Sequence, residues 1–229
     1  LVLVAHFSWL WLLGTYVSWF VLKVIGGEVG AHKYFAHRSY TTTRAWELFL
    51  IFAHFWVGEN SMLSFVTAHR QHHAYTETPR DPHSPRFSSW ADIMFWRRPF
   101  DIDMRFARDV VRDPVIVFTH RYYYHIHLAV LLLCLAMGAW VFYSYILASV
   151  VVINTFQNYA FNYLCHKSWF GYQNYTDKDD SRNSRWLMYL TYGSGLHNNH
   201  HGDPGNYSFK LQPTEYDFTA WFIDRWVRQ

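Results

Sequence analysis

The sequence predicts an all-α integral membrane protein, in which long transmembrane helices carry a helical cap on their cytoplasmic side. Three observations support this fold class. Residues 1–22 and 122–166 contain no Asp, Glu, Lys or Arg. Of the 229 residues, 51% are hydrophobic and 21% aromatic, which excludes a disordered chain and a nucleic-acid-wrapping protein. All Lys and Arg residues fall in 23–121 and 167–228. A hairpin between these two segments would leave both on the same side of the membrane. By the positive-inside tendency, that side is the cytoplasmic one.

Three transmembrane helices are visible in this pattern. The first is predicted over 1–27. A single helix over 122–166 would be about 67 Å long, roughly twice the hydrocarbon thickness of a bilayer, so this stretch is predicted to fold back as a hairpin. Its break is expected near Gly138, the only glycine of the stretch, and its second helix is expected over about 139–166. Because the chain enters its first helix without an initiator Met, a further N-terminal span is expected to be missing.

The remaining segments are shorter or more polar. The apolar run 48–58 is flanked by Glu47 and Glu59 and would cover only about 16 Å as a helix, so 45–66 is predicted to be an interfacial helix. Residues 67–121 contain five prolines and mixed charge, and residues 167–229 are polar and rich in Gly and Asn near their centre. Both are assigned to the cytoplasmic cap, and the whole of 1–229 to one membrane domain.

Fifteen histidines and only two cysteines are present, which excludes a disulfide framework and a Cys-rich zinc site. Eight of the histidines form three compact groups. In two groups the i, i+3 and i+4 spacing places all three imidazoles on one helical face. The third group is looser, because residues five apart lie roughly 140° apart on a straight α-helix, so the helix is expected to end or bulge there. The groups are His32 and His37; His69, His72 and His73; and His197, His200 and His201.

A polar stripe near the end of the hairpin adds to these groups. Asn154, Asn158, Asn162 and His166 follow one another at intervals of four, and a polar stripe on a membrane helix normally faces protein or water. Such an Asn stripe alone is more typical of interhelical hydrogen bonding than of a site. The isolated histidines are expected in interfacial or hydrogen-bonded roles: His6, His54, His120, His125 and His127.

Together these groups predict a metal site. Nine clustered imidazoles without a metal would repel one another as they protonate. A structural zinc needs four ligands and a catalytic zinc three, so nine histidines suffice for two ions with four or five each. Imidazole suits zinc, copper, nickel and iron alike. No Glu-x-x-His and no His-Glu-x-x-His occurs, which argues against a soluble di-iron carboxylate protein and a zinc metalloprotease.

At these residues the chain resembles the integral-membrane fatty acid desaturases, specifically the acyl-CoA (stearoyl-CoA type) branch. The resemblance covers nearly the whole chain and rests on 30–38, 69–83, 121–123, Asn162-x-x-x-His166 and 195–201. It implies two irons bound by nine histidines, with Asn162 reaching one iron through a water, and zinc as a substitute in purified protein. The implied ligands are His32, His37, His69, His72, His73, His166, His197, His200 and His201.

The resemblance also implies residues that orient ligands or hold the substrate. Asp81 and His83 match a segment that orients ligands, and Asn158 is placed with them. Glu28 stands where the family generally has an uncharged residue; it is either a partner for a ligand histidine or a snorkelling interfacial acid.

The carrier of the acyl chain is left open by the same comparison. Arg97 and Arg98 match a basic pair that family members use near the carrier phosphates. The basic residue expected before the second histidine group is replaced by Thr67 and Ala68.

The function predicted from these residues is oxygen-dependent desaturation of a carrier-linked fatty acyl chain. Breaking an unactivated C–H bond requires a strong oxidant, which two redox-active irons can make from O₂ and two electrons, whereas zinc has no redox chemistry. The resemblance implies that the electrons come from a cytochrome b5-like protein or a ferredoxin with its reductase. The substrate, with acyl-CoA the favoured thioester, is expected to enter a narrow apolar tunnel from the cytoplasmic side, in contact with membrane lipid. Alternatives are a hydroxylase or acetylenase on the same scaffold, or a histidine-rich metal-binding membrane protein or transporter.

Overall fold

The computed structural model describes residues 5–95, 97, 101–177 and 179–229, and of 147–153 only the backbone. The described residues form helices joined by turns and irregular segments. They contain no strand, only the isolated bridges of Asn183 with Tyr172 and with Leu196. The predicted all-helical architecture is therefore confirmed for this part of the chain.

The chain begins with its longest helical stretch. Helix α1 (Trp9–Val21) is capped by the Ser8 hydroxyl and continues directly into a helix with wider turns, Leu22–Ala36, here called the wide segment. Among the described residues, Trp9–Ala36 is the one helix that is long and apolar enough to cross a membrane. The helix predicted over 1–27 thus continues nine residues further, which brings the first histidine group onto it.

Residues 45–66, predicted as one interfacial helix, are divided between two helices. Helix α2 (Arg44–Phe55) ends before a tight turn, and α3 (Met62–Tyr75) begins after it. Gly58 and Asn60 in this turn have φ angles of 80° and 66°, which a continuing α-helix cannot contain. The Ser61 side chain then caps α3. The prediction of a single helix is wrong because the turn redirects α3 into the cap.

Short elements follow, as the prolines of 67–121 predict. Helix α5 starts at Pro114, whose missing N–H costs nothing at that position, and the Asp113 side chain caps it. The elements are α4 (Trp90–Met94), two 3₁₀ turns (Met104–Ala107 and Val110–Arg112) and α5 (Pro114–Arg121).

The predicted hairpin is formed by α6 (Tyr123–Ala136) and α7 (Trp140–Asn162). Its break lies at Gly138 as expected, with a φ of 70° that favours glycine. The prediction that the second helix runs unbroken to His166 is wrong. At Tyr163 φ is −118° and the helix ends, and a separate 3₁₀ turn, Leu164–His166, carries the histidine.

The last part of the cap closes over the first. It contains α8 (Arg185–Leu190), α9 (His197–Gly202) and α10 (Phe218–Phe222), which continues as the wide turns Ile223–Val227. The main core packs side chains of the wide segment, α2 and α3 against Ile223 and Val227. A fully buried ion pair, Lys33 Nζ to Asp217 Oδ2 at 2.9 Å, ties the end of the chain to the wide segment. Two smaller cores, one of Ala160, Cys165 and Leu187 and the other of Met188, Leu196 and Phe209, place the turn at His166 and the start of α9 beside α8.

Candidate metal centre

All nine histidines of the predicted ligand set converge on one place in the fold. They form two adjoining clusters, assigned from ring-nitrogen groups that lie within 4.8 Å of one another and from the Nε2 contacts below. The first cluster is His32, His37, His69, His73 and His200; the second cluster is His72, His166, His197 and His201. His73 also lies within 4.8 Å of His201, so the two clusters are neighbours.

The wide segment solves the spacing problem of the first histidine group. The N–H of His37 donates to the carbonyl oxygen of His32, five residues earlier, at 3.2 Å. This wider hydrogen-bonding pattern, common at functional sites, brings residues five apart onto nearly the same face. The two ring centroids are accordingly only 5.3 Å apart. The expectation that the helix must bulge or end here is confirmed: it does both, since the segment closes at Ala36.

Helices α3 and α9 present the other two groups to each other. The Nε2 atoms of His73 and His200 are 2.8 Å apart, and those of His72 and His201 are 3.3 Å apart. Because each helix carries three histidines on one face, each supplies both clusters.

The distances between ring nitrogens match those between ligands of a common ion. Two nitrogens bound at right angles, each about 2.1 Å from a metal, lie about 3.0 Å apart. The Nε2 separations in the first cluster are 3.0 Å for His32–His200, 2.7 Å for His37–His69 and 2.8 Å for His73–His200. In the second cluster they are 3.3 Å for His72–His201 and 3.1 Å for His166–His197. The nitrogen donors therefore fit two metal ions.

Carboxylates hold the outer nitrogens of four of these rings. The Nδ1-to-oxygen distances are 2.9 Å for His32–Glu28, 2.8 Å for His72–Asp81, 3.3 Å for His166–Glu77 and 2.6 Å for His201–Asp179. A ring that donates its Nδ1–H to a carboxylate turns the Nε2 lone pair inward, the arrangement that metal-binding histidines need.

Two of these carboxylates were expected from the sequence and two were not. Asp81, which the resemblance groups with ligand-orienting residues, contacts His72, and Glu28 contacts His32 and is only 7% exposed. Glu77 and Asp179 were missed as histidine partners. Glu77 lies in the motif around the second histidine group, but Asp179 lies in a polar loop where no spacing indicates a role.

His83, whose ligand-orienting role stays a prediction, lies beside the ring of His72. Its centroid is 4.7 Å from that of His72, and its backbone N–H donates to Asp81 Oδ1 at 3.0 Å. His83 therefore helps to hold the carboxylate that holds His72.

The protonation of the clusters suits metal binding. Burial, together with the charges of neighbouring imidazoles, lowers the pKa of His69, His73, His197 and His200 well below the usual histidine value. Burial also lowers the pKa of His201 to about 4, although Asp179 opposes the shift. These rings are neutral at pH 7, the state in which imidazole binds a cation.

The Asn stripe of α7 faces protein, as predicted. Asn154 Nδ2 donates to the Val57 carbonyl at 2.7 Å, and Asn158 Nδ2 donates to the Ile93 carbonyl. Asn162 Nδ2 donates to Asn158 Oδ1 at 2.5 Å. Asn158 thus positions Asn162 rather than a ligand histidine.

A cavity of about 430 Å³ adjoins the clusters. Phe65, Ala68, Ile102 and Phe161 give it apolar walls, and Asn162, His32, His69 and His197 line it on the metal-centre side. Lys23, Glu28, Glu59, Asn154 and Gln157 also line it. The wall of this cavity thus combines apolar side chains with polar groups from the wide segment, α7 and the turn before α3, and the narrow apolar tunnel stays a prediction.

The other predicted residues lie outside this centre. Arg97 is 61% exposed and pairs with Asp92 Oδ1 at 3.1 Å, and Arg98 lies outside the described residues. Two isolated histidines have the hydrogen-bonded roles expected of them: His120 contacts Ser61 Oγ at 2.7 Å, and His127 donates to the Phe55 carbonyl at 3.2 Å.

Comparison with known proteins gives a consistent result. The family model described as fatty acid desaturase matches residues 3–217. The chain is 30% identical to sn-1 stearoyl-lipid 9-desaturase of Anabaena variabilis over 219 residues, which cover 94% of this chain and 80% of that protein. It is 30% identical to stearoyl-CoA desaturase 5 of Bos taurus over 242 residues, which cover 98% of this chain and 70% of that protein. It is 29% identical to stearoyl-CoA desaturase of Homo sapiens over 237 residues, which cover 95% of this chain and 63% of that protein.

Proposed function

This chain belongs to the fatty acid desaturase family, and we propose that it introduces a double bond into a fatty acyl chain in an O₂-dependent reaction at a centre of two irons. The observation that carries the proposal is the convergence of nine histidine nitrogens as two ligand sets beside one cavity. A conduit for metal ions would spread its ligands through the depth of the membrane, whereas these lie together.

The residues fit two resident ions. The first cluster would hold one ion with five imidazoles. The second cluster would hold the other with four, and Asn162, at the cavity wall, would add a water ligand. Redox chemistry selects iron over zinc for this reaction, since bound iron supplies the oxidising power that removes hydrogen from an unactivated methylene.

The overall reaction balances with an external reductant. Two adjacent methylenes lose two hydrogens, and O₂ takes these together with two electrons and two protons to form two waters. The chain's own residues position the reaction. Four carboxylates fix the ring orientations of His32, His72, His166 and His201, so the metal centre keeps its geometry through turnover. The cavity aligns one part of the acyl chain with the clusters.

The substrate is a long-chain fatty acyl group on a carrier. The relatives are named for stearoyl-CoA and for stearoyl groups in lipids, so both carriers are candidates, with acyl-CoA the first to test. Arg97 and Arg98 would contact the carrier phosphates. Arg97 would exchange its exposed pairing with Asp92 for that contact.

The membrane arrangement belongs to the proposal. Spans at 1–27 and in the 122–166 hairpin would leave the histidine clusters on the cytoplasmic side. There a cytochrome b5-like protein or a ferredoxin with its reductase would deliver the electrons.

The test is product analysis. The metal-loaded protein with reductant, an electron donor, O₂ and stearoyl-CoA should yield an acyl product lighter by two hydrogens and carrying an alkene, read by mass spectrometry. A hydroxylated product without an alkene would assign the hydroxylase reaction instead. No O₂-dependent change in any acyl substrate would overturn the proposal.

A further inference from the structure

The cavity beside the histidine clusters contains polar atoms with unmet hydrogen-bonding capacity. In the part of the chain that the structure describes, Glu59 Oε2, Asn154 Oδ1 and Gln157 Oε1 are buried without a hydrogen-bond partner. All three residues line the cavity, and Gln157 is only 5% exposed. A buried acceptor that lacks a donor costs free energy, so three in one wall point to a ligand that supplies donors.

Neighbouring contacts fix how two of these groups are presented. Asn154 Nδ2 donates to the Val57 carbonyl, so the Oδ1 atom of Asn154 is the one that remains for the cavity. Lys23 Nζ donates to Glu59 Oε1, so the Oε2 atom of Glu59 remains free to accept a hydrogen bond from a ligand in the cavity. Both side chains therefore offer acceptors, and neither offers a donor.

The charged groups in the cavity wall restrict the chemical class of the ligand further. Lys23 is 3.7 Å from Glu28 Oε1 and is also paired with Glu59, so one ammonium is shared by two carboxylates. Lys23 is therefore already paired on this wall and offers no free ammonium to a carboxylate or phosphate. A hydroxyl or amino group suits the site, whereas a plain hydrocarbon chain would leave its acceptors unpaired.

We infer that this cavity binds a hydroxyl or amino group of the lipid substrate, through Glu59, Asn154 and Gln157, while the clusters act on methylenes nearby. The part of this inference that concerns the reaction rests on the proposed function, whereas the binding of the donor group does not. The donor group has two sources: a hydroxyl on the acyl chain itself, or the hydroxyl and amino groups at the head of a long-chain base. Either would be bound in preference to an unsubstituted chain of the same length.

The test compares lipids that differ only in the donor group. Native mass spectrometry of the metal-loaded protein with an equimolar mixture of stearoyl-CoA and a mono-hydroxystearoyl-CoA reads binding without turnover. To test the first source, the hydroxyl group of the hydroxystearoyl-CoA is placed at a series of positions along the chain. To test the second source, binding of sphinganine is compared with binding of octadecane. We expect one source to be preferred over its unsubstituted partner by about tenfold, the effect of one hydrogen bond to a buried group.

Gln157→Leu supplies the decisive variant. Replacing Gln157, whose buried Oε1 lacks a partner, by an apolar side chain of similar size should leave the fold intact and abolish the preference. Phe156→Leu is the matched control, since Phe156 neighbours Gln157 on α7 but is 43% exposed and not among the cavity-lining residues, and it should keep the preference.

The outcomes separate this inference from the proposed function. Equal binding of both members of every pair, or an unchanged preference in Gln157→Leu, would overturn the inference and indicate a cavity filled by water. Alkene formation on stearoyl-CoA in the same preparation would leave the desaturase reaction standing. A donor preference without any alkene product would support the inference and count against the reaction.

Discussion

The Nε2 atoms of His72 and His201 face each other at 3.3 Å, although the Nδ1 of each ring is already bonded to a carboxylate. With Asp81 and Asp179 taking the two Nδ1–H groups, both Nε2 atoms present lone pairs. Two lone pairs at this distance repel unless a proton or a metal ion lies between them. The pair therefore has the geometry of two ligands of one metal ion.

The Asp179 carboxylate should control metal affinity at the second cluster. Asp179→Asn removes the charge that orients His201, and we expect metal affinity to fall by about 10- to 100-fold, as for other carboxylates behind ligand histidines. Competition with a chelator of known affinity measures this change. Asp180→Asn is the matched control, because Asp180 pairs with exposed Arg86 at 2.6 Å. Equal affinities in the two variants would show that Asp179 plays no part in holding the ion.

Asn162 should matter for turnover more than for folding. Asn162→Leu removes the amide that Asn158 holds at the cavity wall, and with it the proposed water ligand. We expect activity to fall at least tenfold while the protein elutes as the wild type does and keeps its histidine-bound ions. The checks are product formation per iron and metal content. Wild-type turnover in this variant would refute the role assigned to Asn162.

The sequence predicted much of this centre because its signals are periodic. The spacings of 69–73 and 197–201 match a helical face, and α3 and α9 are helices there. Asp179 could not be found in this way, since it reaches His201 by the folding of an irregular loop. Nor could the ends of α7 and α2, which depend on single backbone conformations at Tyr163 and Gly58.

The polar cavity was missed for a related reason. Its acceptors come from segments distant in sequence, at positions 59, 154 and 157, and each alone is an ordinary polar residue. Their shared surroundings exist only once α7 packs beside the turn that precedes α3.

Gly26 should be required for the packing of the wide segment on α2. A Cβ at Gly26 would lie 2.4 Å from the backbone nitrogen of His54, so Gly26→Ala must push the two helices apart. We expect a loss of about 1–3 kcal/mol in the free energy of unfolding, seen as a lower temperature of thermal inactivation.

Gly14→Ala is the control for this substitution. A Cβ at Gly14 meets nothing within 4 Å, so the stability of this variant should be unchanged or higher, since alanine favours a helix by up to about 1 kcal/mol. Equal stability of Gly26→Ala and wild type would contradict the close packing.

The most direct test of the two-metal centre is to count ions in cluster-specific variants. Elemental analysis of iron-reconstituted wild-type protein should give two ions per chain. His37→Ala combined with His69→Ala removes ligands of the first cluster alone, and His166→Ala combined with His197→Ala removes ligands of the second cluster alone. Each double variant should retain one ion per chain. One ion in the wild type, or loss of both ions in each folded double variant, would contradict two separate sites.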